Sequence, residues 1–115
     1  MVRGDIVLVD LPRPASIAGH EQIGNRPALV VHDDATSRTL SVLMIIPFTS
    51  KLNARRFPHT IPVQPSPTNG LNRPSILLVF QLRAIDRQRI ITTIGHIEAE
   101  TMELVNAEIK RLLGL

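Results

Sequence analysis

Apolar stretches alternate along this chain with segments broken by proline and glycine. Asp5-Ile6-Val7-Leu8-Val9 is rich in β-branched residues and reads as a first strand. Arg26 to Val31 reads as a second, with Pro27 at its opening, where a strand tolerates proline. Ser41 to Ile46, ending at Pro47, and Ser75 to Phe80 are continuous apolar runs without alternation. Such runs mean burial on both faces. One face of each can lie on the core; in so short a chain the other calls for a partner subunit, which points to a dimer. Phe57 to Val63 reads as a short strand interrupted by Pro58 and Pro62, hence an edge. Ile90 to Ile94 is the last strand. From Glu98 to Leu113 the period becomes helical, with Met102, Val105, Ile109, Leu112 and Leu113 on one stripe. Glu98, Glu100 and Glu103 near its start and Lys110 and Arg111 near its end suit the helix dipole, and Gly114 is placed to cap it.

The intervening segments are polar. Leu11 to Asn25 carries Pro12, Pro14, Gly19 and Gly24 and is a long irregular connection, a kind that tends to be functional. His32 to Ser37 reads as a polar turn with His32 at the surface. Thr49 to Arg56 is polar and basic, and Gln64 to Pro74 is a turn-rich loop. Gln81 to Arg89 is polar, with Arg83, Arg87 and Arg89. No repeat or linker divides the chain. Residues 1–115 therefore form one domain, mainly β with a C-terminal helix, its short antiparallel strands closed or half-rolled.

Composition narrows the function. Hydrophobic residues make up 43% and charged residues 20%, as in a globular domain. The absence of cysteine excludes a disulfide scaffold and thiolate chemistry, and fits a reducing cytoplasm. No apolar run has the length of a membrane span, and Met1-Val2-Arg3-Gly4-Asp5 is no signal peptide. A net charge of +3 and a pI near 10.6 favour an anionic partner such as RNA. Only 3% of residues are aromatic, which argues against the usual base-stacking surface.

Candidate chemistry concentrates in Gly19-His20-Glu21-Gln22-Ile23-Gly24-Asn25-Arg26-Pro27. This stretch can present a general base and a fixed cation to one reacting group. A polar turn whose charges face water has the same composition. His20, His32, His59 and His96 lack metal-ligand spacing, and no carboxylate cluster would hold magnesium, so no metal or other cofactor is expected. Neither a Gly-x-Ser-x-Gly elbow nor a glycine-rich phosphate loop occurs. What remains is a basic face, Arg26 near Glu21, and Thr49-Ser50 after a buried run. That set suits an anionic transition state reached without metal. RNA offers one, because its 2′-hydroxyl can attack the adjacent phosphate.

Arg3-Gly4-Asp5-Ile6-Val7-Leu8-Val9-Asp10, Gly19-His20-Glu21-Gln22 and Arg26-Pro27-Ala28-Leu29-Val30-Val31 resemble the opening of the MazF/PemK toxin family. The likeness continues through Pro47-Phe48-Thr49-Ser50, Gln81-Leu82-Arg83-Ala84-Ile85-Asp86, Ile94-Gly95 and the closing helix. It implies a small SH3-like β-barrel of the MazF/PemK/CcdB plasmid-maintenance type and a homodimer. It also implies the toxin of a type II toxin–antitoxin system. Its activity would be sequence-specific, metal-independent cleavage of single-stranded mRNA to 2′,3′-cyclic phosphate and 5′-hydroxyl ends. A cognate antitoxin would cover the RNA site with a flexible segment.

By this resemblance Arg26 matches the family's catalytic arginine, Thr49 its catalytic threonine, and Glu21 a glutamate with a catalytic role in some members. His20 and Gln22 fall where RNA contacts are expected; Ser50, Lys51, Arg55, Arg56 and Gln81 are further RNA-binding candidates. One departure is Phe80, where many members carry an acid that some use in catalysis. It leaves Glu21 as the base, or leaves a weakened enzyme. Duller roles exist for each residue: Arg26 as a loop ion pair with Glu21, Thr49 as a turn cap, Lys51, Arg55 and Arg56 as a solvated loop, and Gln81 as a backbone bridge. A non-enzymatic toxin of the same fold, of the gyrase-poison kind, is the other alternative.

Overall fold

The computed structural model describes residues 1–11 and 24–115. Seven strands and a terminal helix account for most of them. In chain order these are β1 (Asp5–Leu11), β2 (Gly24–Val30), the short helix α1 (Asp34–Ser37), β3 (Val42–Thr49), β4 (Thr60–Val63), β5 (Ser75–Leu78), β6 (Arg83–Asp86), β7 (Ile90–His96) and α2 (Ala99–Leu113). The strands pair antiparallel in the order β4-β5-β3-β2-β1-β7, and β6 adds to β3 beside β5. β4 and β7 end this order without pairing to each other, so the sheet is half-rolled rather than closed. Register shifts between Ile6 and Val7 and between Leu8 and Val9 bend the β1–β7 pair, as bulges do.

Strand periodicity sorts the core. The cross-strand partners Ile6↔Leu29 and Leu29↔Ile46 share one face. There they join Phe48, Ile61, Val63 and Leu77, against which α2 lays Met102, Val105, Ile109 and Leu112. Val7↔Ala28 and Val30↔Ile45 face the other way, joining Val9, Leu11, Leu43 and Ile85 in a second cluster. Both apolar runs are therefore covered within one chain: Leu43, Ile45, Ile46, Leu77 and Val79 are all fully buried. The argument that these runs need a second subunit falls away, because the sheet is apolar on two sides and folded over on itself.

Several boundaries differ from the sequence reading. β3 does not stop at Pro47. It runs through it, and changes partners there: Ala28 to Val30 of β2 and Arg83 to Asp86 of β6 before it, Leu77 and Ile76 of β5 after it. A residue without an N–H is tolerated where one ladder ends and another begins. Gln81 to Arg89, read as a polar segment, contains β6, whose four residues carry only one buried side chain, Ile85. His32 is not at the surface: it is buried, and Nδ1 accepts a bond from the Met44 amide at 3.4 Å. Leu113 leaves the helical stripe, being 55% exposed. Gly114 does cap α2. Its φ of 73° lets its amide reach Arg111 O while Leu115 N reaches Lys110 O, the paired bonds of a Schellman motif.

Candidate active site

The β2–β3 ladder ends at Ala28↔Pro47. Pro27 lies one residue beyond it, inside β2 and opposite Leu8 of β1 rather than at the strand's opening. Past that point the strands part: β2 stays with β1, setting Arg26 opposite Val9, while Phe48 and Thr49 go to β5. A pocket of about 440 Å³ opens at this fork. Arg26, Pro27, Thr49 and Ser50 line it from the two strand ends, Leu8, Phe48 and Ile94 give it an apolar floor, and Gly70, Leu71, Asn72, Arg73 and Ser75 form the opposite wall.

The site residues named from sequence distribute unevenly over this geometry. Arg26, Thr49 and Ser50 are brought together. Glu21, His20 and Gln22 lie outside the described residues. Lys51, Arg55, Arg56 and Gln81 are not among the lining residues. Lys51 follows directly, and its amide donates to Thr49 Oγ1 at 3.2 Å. Thr49 therefore holds the turn-capping role and a place in the pocket together. Since Oγ1 accepts that bond, its own proton stays available to a ligand. Arg55 reaches Thr60 O and Oγ1, both at 3.4 Å. The Arg56 guanidinium lies 4.9 Å from the centre of the Phe57 ring, and Phe57 packs on Phe80 with centroids 5.7 Å apart. Phe80 is thus a packing residue of the 3-10 turn Val79–Gln81.

Sequence reading missed the opposite wall. Its loop is pinned by a polar knot on the fully buried Asn69. Asn69 Nδ2 donates to Gln64 O at 2.9 Å and to Glu98 Oε1 at 3.2 Å; Oδ1 accepts from Ser66 N and Leu71 N, both at 3.0 Å. Ser66 Oγ donates to Glu98 Oε2 at 2.5 Å. The Ser66 hydroxyl, foremost, holds the Glu98 carboxyl below its ordinary pKa; the Asn69 amide and the nearby His96 act in the same direction, against burial. The loop also abuts β7 closely: a Cβ on Gly70, whose φ is +70°, would stand 1.9 Å from Ile94 O. Asn69-Gly70 was legible as a turn, but its union with Glu98 was not, since only the fold brings them together.

The remaining histidines are structural. His59 Nδ1 lies 2.6 Å from Glu108 Oε1, tying the basic turn to α2, and His96 Nδ1 lies 3.0 Å from Asp5 Oδ1. Among the described residues, no three His, Asp or Glu side chains form a group that could hold a metal ion. No helix among them is long and apolar enough to cross a membrane.

A family model described as PemK-like, MazF-like toxin of type II toxin–antitoxin system matches residues 2–113. Endoribonuclease EndoA of Bacillus subtilis is 30% identical over 113 residues, which are 98% of this chain and 94% of that protein. The solved structure of MazF from Deinococcus radiodurans superposes with a TM-score of 0.79 at 27% identity, covering 100% of this chain and 97% of that one. A MazE–MazF structure from the same organism gives a TM-score of 0.75 at 27% identity, covering 100% and 96%.

Proposed function

Because the chain belongs to the PemK-like, MazF-like toxins of type II toxin–antitoxin systems, we propose that it is an endoribonuclease cutting single-stranded RNA at the fork between β2 and β3. The convergence of Arg26 and Thr49 on one pocket is the observation that carries this reading. The reaction needs three acts. A base takes the 2′-hydroxyl proton, and the oxygen attacks the adjacent phosphorus. Positive charge and hydrogen-bond donors then meet the growing charge on the phosphate. Finally the 5′-oxygen leaves with a proton, and the 2′,3′-cyclic phosphate remains. Arg26 supplies the charge as a planar fork of donors. Thr49 supplies a hydroxyl whose proton is free to donate, and Glu21 is the base. Ser50, Lys51, Arg55, Arg56 and Gln81, with His20 and Gln22, carry the RNA to and from the pocket. The active form is a cytoplasmic homodimer, checked by a cognate antitoxin.

Purified protein incubated with a long RNA in excess EDTA tests this. The expected outcome is discrete fragments with cyclic phosphate and 5′-hydroxyl ends. Cleavage lost in EDTA and restored by magnesium would mean another mechanism. One observation favours a slower member of the family: the Phe80 ring packs on Phe57, so that position offers no proton chemistry. On that reading the same products form slowly, and Glu21→Gln removes them.

A further inference from the structure

We infer that Arg73 binds a second RNA phosphate, next to the one that Arg26 and Thr49 engage. The inference rests on the assignment of this pocket to RNA, and gives its far wall a role. Arg26 and Arg73 both line the pocket, with the neutral polar residues Thr49, Ser50, Asn72 and Ser75; no carboxylate is among the described lining residues. Such a wall selects for anions. The two arginines differ in setting. Arg26 is half-buried within a paired strand, whereas Arg73 is exposed. Among the described residues its guanidinium takes part in no hydrogen bond or ion pair, while Arg87 is held by Asp34 at 2.6 Å. A cation left uncommitted beside a pocket is available to a ligand.

The backbone that carries Arg73 is nonetheless fixed. Ser75 Oγ donates to Arg73 O at 3.0 Å, and Pro74 restricts the next φ. Upstream, Leu71 N is held by the buried Asn69, whose amide is held by Glu98. The loop therefore presents a charge from a prebuilt position, and little backbone order has to be gained on binding. Successive phosphates along a strand need charges at successive places. The fork provides Arg26 on one wall and Arg73 on the other, which threads the RNA across the pocket between them.

The test uses an RNA whose cleaved position, mapped with the wild type, carries a 2′-deoxynucleotide so that binding is read without cleavage. Affinity is measured against salt for wild type, Arg73→Ala, Arg73→Lys and Arg111→Ala. Arg111 lies on α2 and is 74% exposed, so it controls for charge alone. Arg73→Ala should weaken binding roughly tenfold or more, as loss of a charged hydrogen bond does. It should also flatten the slope of log affinity against log salt by about 0.7, the share of one phosphate on a single strand. Arg73→Lys should keep that slope, and Arg111→Ala should behave as wild type. On cleavable RNA the loss should fall on KM more than on kcat. Wild-type affinity and slope for Arg73→Ala would overturn the inference and leave the RNA reading standing. So would an altered cleavage sequence at unchanged slope, since that marks a base contact. Wild-type protein without RNA affinity would overturn both.

Discussion

Arg26 lies on β2 just past the last rung to β3, so it faces the pocket from a strand whose position β1 fixes. Preorganisation of this kind separates catalysis from binding. The phosphate gains charge as the 2′-oxygen attacks, and a donor already oriented there acts on the transition state. Arg26→Ala should slow single-turnover cleavage roughly 100- to 1000-fold while the circular dichroism spectrum and melting temperature stay near wild type. Arg26→Lys should also be slow, because a point charge does not reproduce the fork. Near-normal cleavage by Arg26→Ala would remove it from the chemistry. Gly70 is constrained in another way. Its left-handed backbone and the 1.9 Å from an added Cβ to Ile94 O leave no room for alanine. The backbone strain alone costs about 1–3 kcal/mol, and the clash is with main chain, which cannot rotate away. Gly70→Ala should lower the urea midpoint accordingly, and an unchanged midpoint would show that the loop does not sit against β7.

At the scale of elements, α2 does more than cover the core. Its N-cap residue, Glu98, makes no capping bond of its own; its carboxylate goes to Ser66 and Asn69. The helix start is thus tied to the loop that forms the far wall of the pocket. Because the folded pKa of Glu98 lies below its ordinary value of 4.5, the carboxylate's contribution to stability is complete above that value. It is lost as pH falls through the lower folded pKa. Glu98→Gln should therefore be less stable than wild type near neutral pH, and the difference should shrink as the pH is taken below 4 in denaturant titrations. A constant gap across that range would mean that the charge of Glu98 contributes nothing. β3 plays the other organising part. By changing partners at Pro47 it turns a flat sheet into a half-rolled one and leaves the fork in which the pocket sits.

For the whole molecule, the two core clusters lie on opposite faces of the same three strands, and one chain covers both. A second subunit is thus not needed to bury either apolar run. The surface left to an interface is a set of exposed side chains, among them Leu40 (49%), Ile91 (51%) and Leu104 (58%). Sedimentation at micromolar concentration should nonetheless give twice the chain mass, as the proposed homodimer requires. A monomer there would separate this chain's assembly from its chemistry. Because unfolding gives up the contacts between subunits, the melting temperature of such a dimer should rise with protein concentration.

Period and composition alone determined six of the seven strands, the terminal helix with its Gly114 cap, and the mild basic character. These are local properties: alternation, helical spacing and turn chemistry act within a few residues. The residues around Arg26 and Thr49 were legible because the whole ordered set of motifs resembles one family. What sequence left hidden was non-local. Strand β6 is too short and too polar to stand out until β3 pairs with it. His32 is polar, yet it is buried where β2 ends beside β3. Asn69 and Glu98 read as a turn residue and a helix start, and only the close approach of the loop to β7 joins them. The far wall of the pocket, Arg73 included, follows from that approach. Tertiary structure decided it, because residues distant in the chain share a site only when packing brings their backbones together.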